Sequence, residues 1–249
     1  MLKEERFNHI LAAVKKKGKV NYESISGELD VSEDTIRRDI ESLHNNGLLV
    51  KVRGGAISLL KNPLSFQDRT QFLSGEKNII ALKAQQMIKN GQTIFMDGGS
   101  TVCAVASHLP TNSSFRLVTN NMALVPVISK FKGIELIVLG GTYDRETAVN
   151  TGVQTCEEAA KYNADLYLMG TCAVRKEFGI SAVFQADGEV KQRMLRNAIS
   201  TFALANNKNL GSTEFFRVCE LQEIKGLITD LATDDQRLDD FRNLGIRLI

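Results

Sequence analysis

The apolar positions change their period partway along the chain. Up to about residue 45 they recur every three or four residues, the helical spacing. Phe7, Ile10, Leu11 and Val14 form one face of a first helix. Lys15, Lys16, Lys17 and Gly18 end it, with cations at the carbonyl end where the helix dipole favours them. Val20 and Tyr22 predict a short extended piece, and Ile25 and Leu29 face inward from a second helix over residues 23–29. Asp30 and Val31 turn into a third helix, for which Ser32 is the expected N-cap. Ile36, Ile40 and Leu43 give that helix one buried stripe, and Gly47 is its expected stop. Residues 48–56 read as a short hairpin, which completes a winged helix-turn-helix.

Beyond residue 76 the pattern alternates. Helices are expected over 76–89, 100–109, 122–131, 152–162, 189–200 and 234–244. Strands are expected over 92–96, 115–119, 134–139, 165–169, 202–205, 226–229 and 246–249. Strands alternating with helices predict a mainly parallel sheet covered on both faces. The expected fold class is therefore α/β: a winged helix-turn-helix domain over 1–57, a connection over 58–75 that contains Pro63, and a Rossmann-like α/β domain over 76–249.

Ser32, Thr35, Arg37 and Arg38, the candidate DNA contacts, lie off the buried stripe of the third helix, at or near its N-terminal end. A helix-turn-helix protein pushes that end into the major groove, and the arginine fork pairs with guanine edges or phosphate. Lys51, Arg53 and Gly54 sit in the hairpin, placed to meet backbone phosphate or enter the minor groove. Taken alone, this pattern fits a solvated helix with two surface arginines equally well.

Charge alone does not point to nucleic acid. The 249 residues carry 31 basic and 29 acidic side chains, a net charge of +2, so any basic patch is local. Lys3, Glu4, Glu5 and Arg6 rule out a signal peptide, and no stretch is apolar enough to span a membrane. Cys103, Cys156, Cys172 and Cys219 are far apart, as reduced thiols of a cytoplasmic protein would be. Neither they nor His9, His44 and His108 have metal-ligand spacing, so no metal and no cofactor is expected.

In parallel α/β sheets, ligands bind beyond the carboxyl ends of the strands. After the first strand comes Asp97-Gly98-Gly99-Ser100-Thr101. Two glycines let backbone approach an anion, and two hydroxyls add donors at a helix start. Thr119-Asn120, Gly140-Gly141 and Gly170 follow later strands, while Lys191 and Lys208 are cations able to complement a phosphate. Each turn alone also reads as an ordinary strand-to-helix connection.

The run T-I-R-R-D, then L-x-x-x-G-L-L, then R-G-G-A resembles the DeoR family of bacterial transcriptional regulators. It is carried by Val31, Ser32, Thr35, Ile36, Arg37, Arg38, Asp39, Leu43, Gly47, Leu48, Arg53, Gly54, Gly55 and Ala56, with Arg53 where the family often has His. Arg69, Glu76 and Lys77 also fit, as do Asp97 to Thr101, Thr119-Asn120, Gly140-Gly141, Asp165, Gly170, Gly179, Glu189, Lys191 and Thr229-Asp230. One departure is Asn206, read as standing for the aspartate of the family's D-x-x-K run before Lys208.

The resemblance implies a second domain similar in fold to ribose-phosphate isomerases. It implies a repressor of carbohydrate-metabolism genes, released from double-stranded operator DNA by a phosphorylated sugar. Asp97 would accept from sugar hydroxyls, residues 98–101 would cradle phosphate, and Lys191 and Lys208 would supply charge. Operator symmetry implies a homodimer or homotetramer. Two other readings stay open: a second domain that only oligomerises or binds a non-sugar ligand, and an isomerase fused to a DNA-binding domain.

Overall fold

The computed structural model describes residues 3–45, 48–57 and 66–249. It divides into two compact units, Met1–Phe72 and Leu73–Ile249. The expected stop at Gly47 and the connection around Pro63 lie outside the described residues.

The first unit carries α1 (Lys3–Lys17), β1 (Lys19–Asn21), α2 (Tyr22–Leu29), α3 (Glu33–Asn45), β2 (Val50–Val52), β3 (Gly55–Ile57) and α4 (Phe66–Gln71). Its core is the predicted stripe: Ile10 and Val14 from α1, Ile25 from α2, and Ile36, Ile40 and Leu43 from α3, closed by Leu49 and Ala56. The turn between α2 and α3 is set locally. Asp30 adopts φ 52° and donates its N–H to the Ser26 carbonyl, ending α2. Ser32 Oγ then accepts from the Thr35 N–H at 3.2 Å, capping α3 as expected.

The hairpin has a third strand, in the antiparallel order β1-β3-β2. Two glycines make this geometry. Gly54 turns at φ +84°, while an added Cβ on Gly55 would lie 1.9 Å from the Val20 carbonyl oxygen of β1. α4 falls within the stretch read as the connection.

The second unit is built on seven parallel strands. In chain order these are β4 (Thr93–Met96), β5 (Phe115–Thr119), β6 (Ile134–Val138), β9 (Ala164–Gly170), β12 (Ala198–Leu204), β14 (Gly226–Ile228) and β15 (Arg247–Leu248). Their spatial order is β15-β14-β12-β9-β4-β5-β6. The intervening β7 (Thr142–Asp144) and β8 (Val149–Thr151) form an antiparallel hairpin. β10 (Ala173–Arg175), β11 (Gly179–Ala182) and β13 (Phe216–Cys219) form a small antiparallel sheet.

The period-2 alternation of the strands is buried on both faces, as a parallel sheet requires. Ile94, Met96, Leu166, Leu168, Phe202 and Leu204 pack on α5 (Ser74–Ala84), α6 (Ser100–Ser107) and α7 (Val125–Ile128). Phe95, Tyr167, Met169 and Ala203 share the other core with Ala159 of α8 (Val153–Ala159), Val190 and Met194 of α9 (Gln185–Arg196), and Phe241 of α10 (Asp239–Arg242). The small antiparallel sheet joins that second core through Val174, Ile180 and Val218.

Five of the six helices are shorter than their pattern suggests, and α9 starts and ends four residues before the expected 189–200, so that residues 198–200 belong to β12. The stretch 122–131 holds a 3-10 turn, Met122–Leu124, before the four-residue α7, because Pro126 has no N–H to continue the ladder. α5 tightens into the 3-10 turn Gln85–Met87. The last stretch likewise holds Gln236–Leu238 and then α10.

Candidate functional site

In the first unit, α3 presents its N-terminal end. Ser32 is exposed, and its hydroxyl also lies 2.9 Å from Thr35 Oγ1, so the half-buried Thr35 is tied to the cap. Arg37 is exposed, with its guanidinium 5.5 Å from the centre of the Tyr22 ring. Arg38 is exposed and pairs with Asp34 one turn earlier at 2.6 Å. In the wing, Lys51 pairs with Glu41 at 3.1 Å, while Arg53 and Gly54 are exposed.

Sequence reasoning did not single out what orients α3. Arg6 of α1 grips Asp39 with two bonds, Nε to Oδ2 at 2.6 Å and Nη2 to Oδ1 at 3.2 Å, and Asp39 is buried. The bidentate geometry fixes direction as well as distance.

In the second unit, the carboxyl ends of β4 and β9 carry a buried charged cluster. Asp97 leaves β4 with 0% of its surface exposed. One oxygen accepts from the Gly170 N–H at 2.8 Å; the other accepts from the Tyr167 hydroxyl at 2.5 Å and from Lys191 Nζ at 2.6 Å. Lys191, on α9 and 3% exposed, also donates to the Gly170 carbonyl at 3.1 Å. Its third neighbour is Asp187, one turn earlier on α9, at 3.5 Å. Burial lifts the Asp97 carboxyl above its ordinary range, against the pull of Lys191. Burial also pushes Lys191 towards the neutral form, but the Asp187 and Asp97 carboxylates outweigh it and hold the ammonium charged. Three donors converging on one carboxylate favour its ionised form against that burial.

This arrangement corrects one expectation. Asp97 has no exposed surface with which to accept sugar hydroxyls; it fixes the turn behind the site instead. That turn is Gly98-Gly99. A Cβ on Gly98 would lie 2.6 Å from Val149 of β8 and 3.5 Å from Asp187 Oδ1. Gly99 adopts φ +124°, and a Cβ there would meet no atom within 4 Å, so space opens beside the start of α6. No side chain caps α6, so the N–H groups of its first turn have no side-chain acceptor; Ser100 there is buried and Thr101 half-buried.

The remaining expected residues spread along the sheet edge. Thr119 Oγ1 accepts from the Asn121 N–H at 3.0 Å, and Asn120 Nδ2 donates to the Asn150 carbonyl at 2.9 Å; both side chains are buried. Asn121, the next residue of the same turn, donates to the Asp97 carbonyl at 3.1 Å. Gly140 donates to Glu158 at 2.7 Å, and its carbonyl accepts from Thr155 at 2.6 Å, so α8 occupies its polar groups. Gly141 turns at φ +131° where a Cβ would lie 2.0 Å from Thr155 Oγ1.

Lys208 is exposed beyond β12, and its N–H is capped by Asn206 at 2.9 Å. Counted back from Lys208, the carboxylate of a D-x-x-K run falls at Ala205, which is fully buried, and not at Asn206. Four strand spacings separate β12 from β6. At about 4.8 Å each that is roughly 19 Å, wider than any hexose phosphate, so these residues do not all touch one small ligand.

Comparison with known proteins accounts for both units. Residues 6–62 match the DeoR-like helix-turn-helix domain, and residues 74–231 match the DeoR C-terminal sensor domain. The chain is similar to the HTH-type transcriptional repressor GlcR of Bacillus subtilis, at 34% identity over 100% of this chain and 96% of that one. It is similar to the lactose phosphotransferase system repressor of Lactococcus lactis, at 30% identity over 97% and 96%. It also resembles the glycerol-3-phosphate regulon repressor of Haemophilus influenzae, at 28% identity over 90% and 88%. With its reading head and sensor domain each matched, the chain belongs to the DeoR family of DNA-binding transcriptional regulators.

Proposed function

We propose that the protein represses carbohydrate-metabolism genes by holding operator DNA through α3 and the wing, and that a phosphorylated sugar or related metabolite releases it. The effector seats at the carboxyl ends of β4 and β9, its phosphate on the first turn of α6 and its body towards the neighbouring strand ends. The observation that carries this reading is the turn at Gly99. It leaves open space before an uncapped helix start, and the buried Asp97–Tyr167–Lys191 cluster holds it in place. Backbone N–H groups at a helix start suit phosphate. The names of two relatives, which refer to a phosphotransferase system and to glycerol 3-phosphate, support the same ligand class.

The sensor domain is read as a binding module, not an isomerase. Aldose–ketose isomerisation needs a base within reach of a substrate carbon, and Asp97 is sealed behind the turn. On the DNA, Arg37, Arg38, Lys51 and Arg53 make the contacts, with Arg38 and Lys51 exchanging their carboxylate partners for phosphate. Two copies reading two half-sites supply the affinity that one small domain lacks.

The test starts from a duplex selected on the full chain out of a randomised pool. Anisotropy of that duplex is followed while sugar phosphates and their unphosphorylated parents are added. Release by a phosphorylated compound, with no response to its parent, is expected. A duplex retained against the whole panel contradicts the effector reading. Equal affinity for a scrambled duplex contradicts the DNA-reading one.

A further inference from the structure

Lys191 is the cation of the buried cluster; its ammonium donates two hydrogen bonds and forms an ion pair with a third neighbour. Asp97, the Gly170 carbonyl and Asp187 surround it. An anion entering beside Gly98 reaches that ammonium only by replacing one of them. The three are not equally replaceable. Asp97 is fully buried and anchored by three donors, and the Gly170 carbonyl belongs to the central strand β9. Asp187 is the loosest partner, 3.5 Å away, and its side chain is the only one of the two carboxylates with exposed surface, at 15%. Its other oxygen lies against Gly98, on the turn that leads into α6. One ammonium already faces two carboxylates, so a phosphate added to this set would place three anions around one cation.

We propose that Asp187 is an internal counter-ion that occupies the anion position of the empty sensor, and that a phosphate-bearing effector binds by displacing it. This deepens the proposed function and rests on the same site. It also supplies a route from ligand to fold. Asp187 lies in the first turn of α9, and the next residue, Gly188, packs on the ring of Phe216 in β13 so closely that a Cβ would lie 2.2 Å from it. Moving Asp187 out therefore moves the α9 start against the small antiparallel sheet. An effector that does so binds two conformations unequally, as any effector must to shift an equilibrium.

The proposal fixes the sign of a mutational effect. Were Asp187 a hydroxyl acceptor for the ligand, neutralising it would weaken binding; as a competing anion, neutralising it strengthens binding. The probe is inorganic phosphate, titrated into the full-length protein without DNA. Thermal stabilisation is read against sodium chloride at matched ionic strength. Asp187→Asn should respond at a phosphate concentration at least tenfold lower than the wild type, and Asp187→Glu, which keeps the charge, should respond like the wild type. Asp187→Ser provides a second neutral variant should the amide disturb α9. A neutral variant that needs as much phosphate as the wild type, or more, overturns the proposal, as does a response that chloride reproduces. Because this comparison contains neither operator nor sugar, it fails separately from the release assay.

Discussion

Replacing Lys191 with methionine removes the charge and keeps most of the volume. Lys191 is 3% exposed and Asp97 0%, so no water replaces the lost ammonium. Asp97 keeps the Tyr167 hydroxyl and the Gly170 N–H but becomes a buried anion without a counter-ion, and Asp187 loses its partner as well. Breaking a buried pair from one side costs about 3–5 kcal/mol. For a domain of 150–250 residues each kcal/mol moves the midpoint by roughly 2–4 °C, so the sensor transition should fall by roughly 6–20 °C. The double variant Asp97→Asn/Lys191→Met removes both charges and should recover a large part of that loss. In Lys191→Met the Asp97 carboxyl rises further above its unfolded value. A raised carboxyl keeps its proton in the folded state, so stability is greatest at low pH and is lost as pH rises through the folded value. As pH rises above the ordinary carboxylate range, the single variant should therefore lose more stability than the wild type. Calorimetry on the full chain reads all three proteins. A Lys191→Met midpoint within about 2 °C of wild type would refute the account of the cluster.

Other consequences follow from the first unit. Arg6→Ala and Asp39→Ala should each destabilise the first unit, and the double variant by less than their sum, since the buried Asp39 loses most when left alone; strict additivity in a double-mutant cycle contradicts the clamp. Gly55→Ala should open the contact between β1 and β3 and abolish specific duplex binding, because the Cβ has no room beside the Val20 carbonyl; unchanged anisotropy speaks against the wing. Glu28 is held at about 2 by Lys17 and His9. Its contribution is complete above the ordinary carboxylate range and is lost as pH falls towards that value, so Glu28→Gln should flatten the acid limb of the first unit's stability profile; an unaltered limb is the contrary result.

The helices and central strands were legible because each obeys one period. Ile36, Ile40 and Leu43 lie on one stripe, and Ile94, Met96 and Phe95 alternate across a sheet with two buried faces. The small antiparallel sheet was not legible. Its strands are three or four residues long, and Arg175 and Ser181 interrupt any apolar run, so the signal is too short to read. The site was half legible. Glycines and hydroxyls after strands, and Lys191, could be read one by one, and the structure brings several of them to one edge of the sheet, where the effector site is proposed. What each side chain touches was not legible, because the partners are distant in sequence: Tyr167 is 70 residues from Asp97 and Lys191 is 94. Only Asp187 had a local signal, a carboxylate four residues before a lysine on one helix.

The claim that one molecule couples a metabolite to DNA is tested most directly by reciprocity. The affinity of the releasing sugar phosphate is measured by calorimetry on the free protein and on the protein saturated with its selected duplex. Linkage requires the duplex to weaken effector binding by the same factor by which the effector weakens duplex binding. Matching factors are the predicted result. An effector that binds equally well with and without the duplex would contradict the account, leaving a DNA-binding protein whose second domain senses nothing relevant to it.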